Sequence, residues 1–219
     1  MPYTANIIGA TGLVGKLLVS LLLNDSECQE LHILVRRPSG FSHPKLKEHR
    51  IDFDQDLDYI KAISGHVLFS CLGTTLAQAG SKQAQRKVDY DYQLKAARAA
   101  KVNGLQNYVL VSSPYAKLHA RNYYRHMKAE LEVAIEKLQF GHTTILQPGG
   151  LIGKREKPRK GETMGLTVMK WLTENLPFLR KYSPIDSGLV AKAMYHAYKR
   201  PSEMTLRRVS WTQINELAQ

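Results

Sequence analysis

From Ser112 to Lys128 the chain reads S-S-P-Y-A-K-L-H-A-R-N-Y-Y-R-H-M-K. Three residue types here could move a proton to or from an oxygen. Tyr124 and Lys128 are four apart and so share one face of a helix. A phenol ordinarily titrates at about 10 and is brought toward the neutral range when an ammonium stands beside it. Ser112 or Ser113, following the strand-like N-Y-V-L-V, could polarise the oxygen that receives the proton. Tyr123 has Met127 at the same offset and cannot form the pair. A second Tyr-x-x-x-Lys lies at Tyr195 and Lys199, with no serine-ended strand before it. Because about one such pair arises by frequency alone among residues this common, context is what selects Tyr124.

Reducing a carbonyl needs hydride at carbon as well as a proton at oxygen, so the trio implies a hydride source. The stretch from Asn6 to Lys16, N-I-I-G-A-T-G-L-V-G-K, supplies a place for one. Gly9, Gly12 and Gly15 follow an apolar strand-like run and open a helix-like one, the setting in which a glycine loop with Ala10, Thr11, Leu13 and Val14 cradles a pyrophosphate. No G-K-[ST] follows, since Leu17 succeeds Lys16, and a nucleotide triphosphate loop is excluded. About twenty residues on, L-V-R-R-P places Arg36 and Arg37 where an NAD-preferring fold carries an acid. Two guanidiniums suit a 2′-phosphate, which predicts NADP(H) as cofactor.

Apolar, β-branched runs at Ala5–Ile8, Leu31–Val35, Val67–Leu72, Tyr108–Val111 and Thr144–Leu146 predict short buried strands. Ile51 and Phe53 suggest another. Helical patterns fall between them at Leu13–Leu23, Leu57–Ile63, Gln83–Lys101 and Tyr123–Leu138. The alternation predicts an α/β fold, a doubly wound parallel sheet of the NAD(P)-binding Rossmann type, in a single domain over residues 1–219. After Pro148 the rhythm breaks, and residues 149–219 are expected to form a small substrate-side lobe. Within it lie a helix over Leu166–Asn175, a second capped by Asp186, and a pocket shaped by Leu151–Pro184.

With 43% hydrophobic residues in 219, the chain can bury a sizeable core. Its two cysteines, Cys28 and Cys71, are widely spaced, which suits a reducing, cytoplasmic compartment and indicates no disulfide framework or zinc site. The eight histidines show no metal spacing. His119 and His126 face substrate or solvent, and Cys71 reads as a small buried residue rather than a redox sensor. The apolar run Leu17–Leu23 is too short to span a bilayer. A net charge of +12 raises nucleic acid as a partner. Only K-R-E-K-P-R-K, Lys154–Lys160, concentrates that charge, and no stripe of base-stacking aromatics accompanies it. A small-molecule substrate is the expected partner, with a protein partner or homodimer left open.

Taken together, the glycine loop, Ser…Tyr-x-x-x-Lys and Q-P-G-G resemble an atypical short-chain dehydrogenase/reductase. The chain is most similar to the Tat-interactive oxidoreductase group, through C-L-G-T-T at Cys71–Thr75, A-G at 79 and 80, V-D-Y-D-Y at Val88–Tyr92, V-S-S at 111 to 113 and R-K-G-E at Arg159–Glu162. The resemblance implies NADPH contacts by Gly9–Gly15, Arg36, Arg37 and Leu72, Gly73 and Thr74. It also implies contacts by Asp52 and Phe53 at the adenine, by Lys128 and by Pro148. Tyr124 and Lys128 match its catalytic pair, with Ser112 or Ser113 as partner. Gln147 stands where many relatives carry Arg, a change expected at the substrate mouth. The implied activity is hydride transfer from NADPH to a small carbonyl-type substrate; the alternative is an NADPH-sensing module that binds a protein and turns over little.

Overall fold

The computed structural model describes residues 1–153 and 184–219. Nine strands occur among them: β1 Tyr3–Ile8, β2 Cys28–Val35, β3 Leu46–Arg50, β4 Val67–Ser70, β5 Asn107–Val111, β6 His142–Gln147, β7 Leu151–Ile152, β8 Ile185–Asp186 and β9 Leu206–Ser210. Seven make one sheet in the order β3-β2-β1-β4-β5-β6-β9, every pairing parallel. The order reverses between β1 and β4, and in such sheets the crevice at the reversal, outside the carboxyl ends of the strands, takes the ligand.

Alternation along each interior strand divides the core between the two faces. Ile7, Ile33, Phe69 and Val109 pack with α1 (Leu13–Asn24), α7 (Ser187–Lys199) and α8 (Trp211–Leu217). Ile8, Leu34, Leu68 and Leu110 pack with α2 (Asp56–Ala62), α5 (Tyr92–Val102) and α6 (Tyr123–Glu136). Strands buried on both faces must be apolar throughout, which is why these read as continuous hydrophobic runs.

Three expectations are corrected. The third strand is L-K-E-H-R at Leu46–Arg50 and stops before Ile51 and Phe53. The expected helix Gln83–Lys101 is interrupted: α3 (Leu76–Ala79) and α4 (Lys82–Arg86) lead into a π turn at Lys87–Asp91, which inserts a residue before α5 resumes. The region 149–219 does not stand apart as a whole. β7 and β8 pair with each other. The Asp186 carboxylate accepts from Gly188 N–H at 2.7 Å and caps α7, while β9 joins the main sheet beside β6. The expected helix Leu166–Asn175, the basic run Lys154–Lys160 and R-K-G-E lie outside the described residues, as does most of Leu151–Pro184.

Candidate active site

The glycine loop leaves β1 at Ile8 and reaches α1 by a turn that other residues would obstruct. Gly9 has φ +81°, and a Cβ there would lie 2.6 Å from the Cys71 carbonyl carbon and 2.7 Å from Leu72 N. The loop therefore packs against the chain leaving β4. Gly15 serves packing alone: a Cβ on it would sit 2.1 Å from the Gly9 oxygen. Gly12 closes the loop, donating its N–H to Gly9 O at 3.0 Å, and stands at the N-cap of α1 with no side-chain cap to offer. No acid occupies the first helical turn. The N-terminus of α1 thus presents unsatisfied N–H groups and its positive dipole end, which is what an anion requires.

Two cavities adjoin this loop and share Leu72. The first, about 470 Å³, is lined by Gly9, Ala10, Thr11, Arg36, Arg37 and Phe53, and also by Lys16, Ser39, Val88 and Tyr92, which the sequence reading missed. Arg36 and Arg37 are exposed and have no acidic partner among the described residues. Phe53 is buried, its ring 5.3 Å from that of Tyr92 and edge-on to Tyr59 at 5.6 Å. Asp52 is not brought into the cavity. It is exposed, accepts from Asp54 N–H at 2.9 Å and donates its own N–H to Asp58 at 2.9 Å, so its groups are spent on the turn before α2.

The second cavity, about 530 Å³, runs from Gly12, Leu13 and Val14 past Leu72, Gly73 and Thr74 to Pro148, and it brings Ser112, Ser113, Tyr124 and Lys128 together. Asn122 caps α6 by accepting from Arg125 N–H at 3.1 Å, and that start of the helix sets Tyr124 and Lys128 on the side facing β5. Tyr124 is half-buried and Lys128 buried. The two serines divide. The Ser112 hydroxyl donates to Glu132 Oε1 at 2.5 Å, whereas Ser113 lines the same cavity without that tie. Lys128 Nζ lies 3.8 Å from Asp89 Oδ1. Burial pulls the Lys128 ammonium below its usual range, and the Asp89 and Glu132 charges oppose that pull.

Asp89 and Glu132 are further residues of the site. Asp89 lies in V-D-Y-D-Y, a segment that the sequence marks by resemblance alone. Glu132 was legible, since Tyr124, Lys128 and Glu132 follow one another at steps of four on α6. Gln147 does not line the cavity, correcting the expectation for the substrate mouth: its amide donates to both Glu132 oxygens, at 3.0 and 3.1 Å, and Arg208 Nε from β9 joins them at 3.3 Å. His119 is exposed, and His126 is held by the Leu118 carbonyl; neither lines the cavity. The Cys71 thiol lies 3.6 Å from Met194 Sδ, and burial pushes it up to about 12, far from a reactive thiolate.

These features fit a nicotinamide dinucleotide. An uncapped helix end meets a loop too close for side chains, paired guanidiniums open at one end, and a phenol, an ammonium and a hydroxyl converge at the other. Among the described residues no group of three or more His, Cys, Asp or Glu could hold a metal, and no helix is long and apolar enough to cross a membrane.

Comparison with known proteins agrees. A family model described as NAD(P)H-binding matches residues 9–171. The chain is 38% identical over 192 residues to "Protein FMP52, mitochondrial" of Candida albicans, covering 85% of this chain and 83% of that protein. It is 34% identical over 160 residues to Protein HTATIP2 of Rattus norvegicus, covering 71% and 66%. Among solved structures, UDP-N-acetylglucosamine 4-epimerase from Methanobrevibacter ruminantium M1 superposes with a TM-score of 0.73 at 16% identity, covering 99% of this chain and 80% of that one. MoeE5 in complex with UDP-glucose and NAD superposes with a TM-score of 0.71 at 14% identity, over 98% and 80%. At these identities the structures share the fold. The cytoplasmic placement expected from the cysteines is overturned, because several fungal relatives are named as mitochondrial proteins. Two unpaired cysteines report a reducing environment and cannot distinguish one reducing compartment from another.

Proposed function

The chain belongs to the NAD(P)H-binding family, as an atypical short-chain dehydrogenase/reductase, and from that premise we propose that it is an NADPH-dependent reductase of a small carbonyl compound. The observation that carries this is the meeting of Ser113, Tyr124 and Lys128 in the cavity that the glycine loop opens into. Bound NADPH would supply the hydride to the carbonyl carbon. The Tyr124 phenol delivers a proton to the carbonyl oxygen, and the Ser113 hydroxyl donates a hydrogen bond to the same atom, holding it as charge develops. Lys128, buried beside the phenol, as an ammonium favours the phenolate left behind and holds the nicotinamide ribose. Leu13, Leu72, Leu76, Val111 and Pro114 offer the substrate an apolar wall, which suits an uncharged body around the carbonyl. The mitochondrial names of the fungal relatives support a mitochondrial location.

Replacing Tyr124 tests the reading. Tyr124→Phe should lower kcat by about 10²- to 10⁴-fold across a panel of aldehydes and quinones, with NADPH affinity nearly unchanged. Turnover equal to that of the parent would remove Tyr124 from the reaction; NADPH binding by a parent that oxidises it with no member of the panel would favour a sensor. The choice of dinucleotide rests on Arg36 and Arg37. Replacing both by Ala should weaken NADPH by about tenfold or more, the worth of a lost charge-assisted contact, and leave NADH nearly unaffected. Equal affinity for both cofactors in parent and variant would refute NADPH preference.

A further inference from the structure

We propose that Asp89 is a positioning residue that keeps Lys128 charged inside the site and ties that charge to the cofactor loop, an inference that rests on the reductase reading above. The geometry is specific to the π turn. Asp89 occupies the middle of Lys87–Asp91 and is wholly buried, where the extra residue in the helix turns its carboxylate toward α6. One oxygen accepts from Thr74 N–H at 2.9 Å, and the other stands 3.8 Å from Lys128 Nζ. The turn is held in place from behind, since Gln93 Nε2 donates to the Asp89 carbonyl at 2.8 Å and Ser70 Oγ donates to Gln93 at 2.8 Å. Asp89 thus joins the loop Leu72–Thr74 and the lysine on α6 through its carboxylate, and the end of β4 through its carbonyl and Gln93.

Charge balance explains why an acid is placed there. An ammonium taken out of water gives up its proton unless an opposite charge stands nearby. Among the described residues the charged groups facing Lys128 are Asp89 from the π turn and Glu132 from α6 itself, with the Tyr124 phenol one helical turn away. Glu132 is shared with Arg208, Gln147 and Ser112, so its charge is already answered from β9 and β6. The neighbouring Arg86–Glu130 pair, at 2.6 Å between α4 and α6, neutralises itself. Asp89 therefore carries the compensation. A neutral amine at Lys128 would neither lower the phenol nor grip a ribose as a cation.

Asp89→Asn separates this role from that of a turn anchor, because its amide oxygen can still accept from Thr74 N–H while the charge is gone. In cofactor-free protein carrying ¹³C-lysine, with Lys128 assigned by Lys128→Arg, NMR titration should show the Lys128 midpoint fall by about one to three units in Asp89→Asn. Asp89→Glu, which restores a carboxylate, should recover most of that fall. A midpoint unmoved by Asp89→Asn overturns the proposal. Should Asp89→Asn not fold, the parent decides, because a Lys128 already neutral at pH 7 overturns it equally. On the turnover side, a Lys128 that loses its proton at lower pH stops assisting the phenol and gripping the ribose at lower pH, so the alkaline limb of kcat/KM for reduction should move to lower pH. Failure to bind NADPH at any pH would sink the reductase reading and leave the lysine titration standing as its own result.

Discussion

The protein contains two Tyr-x-x-x-Lys pairs, each on a helix against the same sheet, at opposite ends of its strands. Tyr124 and Lys128 on α6 lie beyond the carboxyl end of β5 and line a cavity. Tyr195 and Lys199, in the last turns of α7, lie at the amino ends of β1 and β2 and close on Asp25. The Asp25 Oδ2 accepts from Tyr3 at 2.6 Å, Tyr195 at 3.0 Å and Lys199 at 3.1 Å, and Lys199 also pairs with Glu27. Equal spacing has produced a site at one end of the strands and a staple at the other. The electrostatics run in opposite senses. Burial depresses Lys128 despite two acids, so folding carries a cost for that charge that is relieved as pH rises. Burial would also depress Lys199, but Glu27 and Asp25 outweigh it and raise the ammonium, so its contribution is present at neutral pH and lost only as pH rises through its folded pKa. A group that stabilises the fold has its partners supplied by the chain, whereas a group kept for chemistry is held at some expense to stability.

Removing one hydroxyl from each pair should separate them most widely. Tyr124→Phe takes away turnover, by about 10²- to 10⁴-fold in kcat. Tyr195→Phe leaves turnover intact and lowers stability by about 1 kcal/mol, the worth of one hydrogen bond to a carboxylate that retains other donors. Activity loss of similar size in both variants, measured beside their unfolding midpoints, would erase the distinction.

The lysines sharpen it in stability. Lys128→Met leaves Asp89 buried without its cation, which should cost about 3–5 kcal/mol in urea unfolding. Lys199→Met should cost at most about 1 kcal/mol, because its side chain is 21% exposed and Asp25 keeps Tyr3, Tyr195 and the Glu27 amide. Equal costs would mean that burial of the charge is not what distinguishes the two pairs.

The same contrast governs how far the amino-acid pattern could be read. Interior strands must be apolar on both faces, so β1, β2, β4, β5 and β6 were legible as hydrophobic runs. The outermost strands pair on one side only, and L-K-E-H-R in β3 or L-R-R-V-S in β9 shows no such run. The Tyr124–Lys128 pair and the glycine loop were legible because spacing within one element expresses their geometry. Asp89 was not, because its partners Thr74 and Lys128 come from other elements and a π turn leaves no mark in helical periodicity. Asp52, carried over by resemblance beside Phe53, shows the limit of position alone: Phe53 lines the cavity, while Asp52 is held in the turn before α2.

Acid should expose the charge held in the staple. Burial would raise the Asp25 carboxyl, but hydrogen bonds from Tyr3, the Glu27 amide, Lys199 and Tyr195 outweigh it and hold the group at about 2, below its ordinary 3.8. A carboxyl depressed on folding contributes stability in full above its unfolded value and loses it as pH falls through the folded one. Asp25→Asn should therefore lower stability at pH 7 by on the order of 1–2 kcal/mol, since the amide still accepts but carries no charge. That gap from the parent should narrow below pH 3.8 and close toward pH 2 as the parent's own carboxylate is protonated. Unfolding free energies measured across this range decide it. A gap constant from pH 7 to pH 2 would mean that Asp25 acts by shape and not by charge, and the two Tyr-x-x-x-Lys pairs would then differ in place but not in electrostatics.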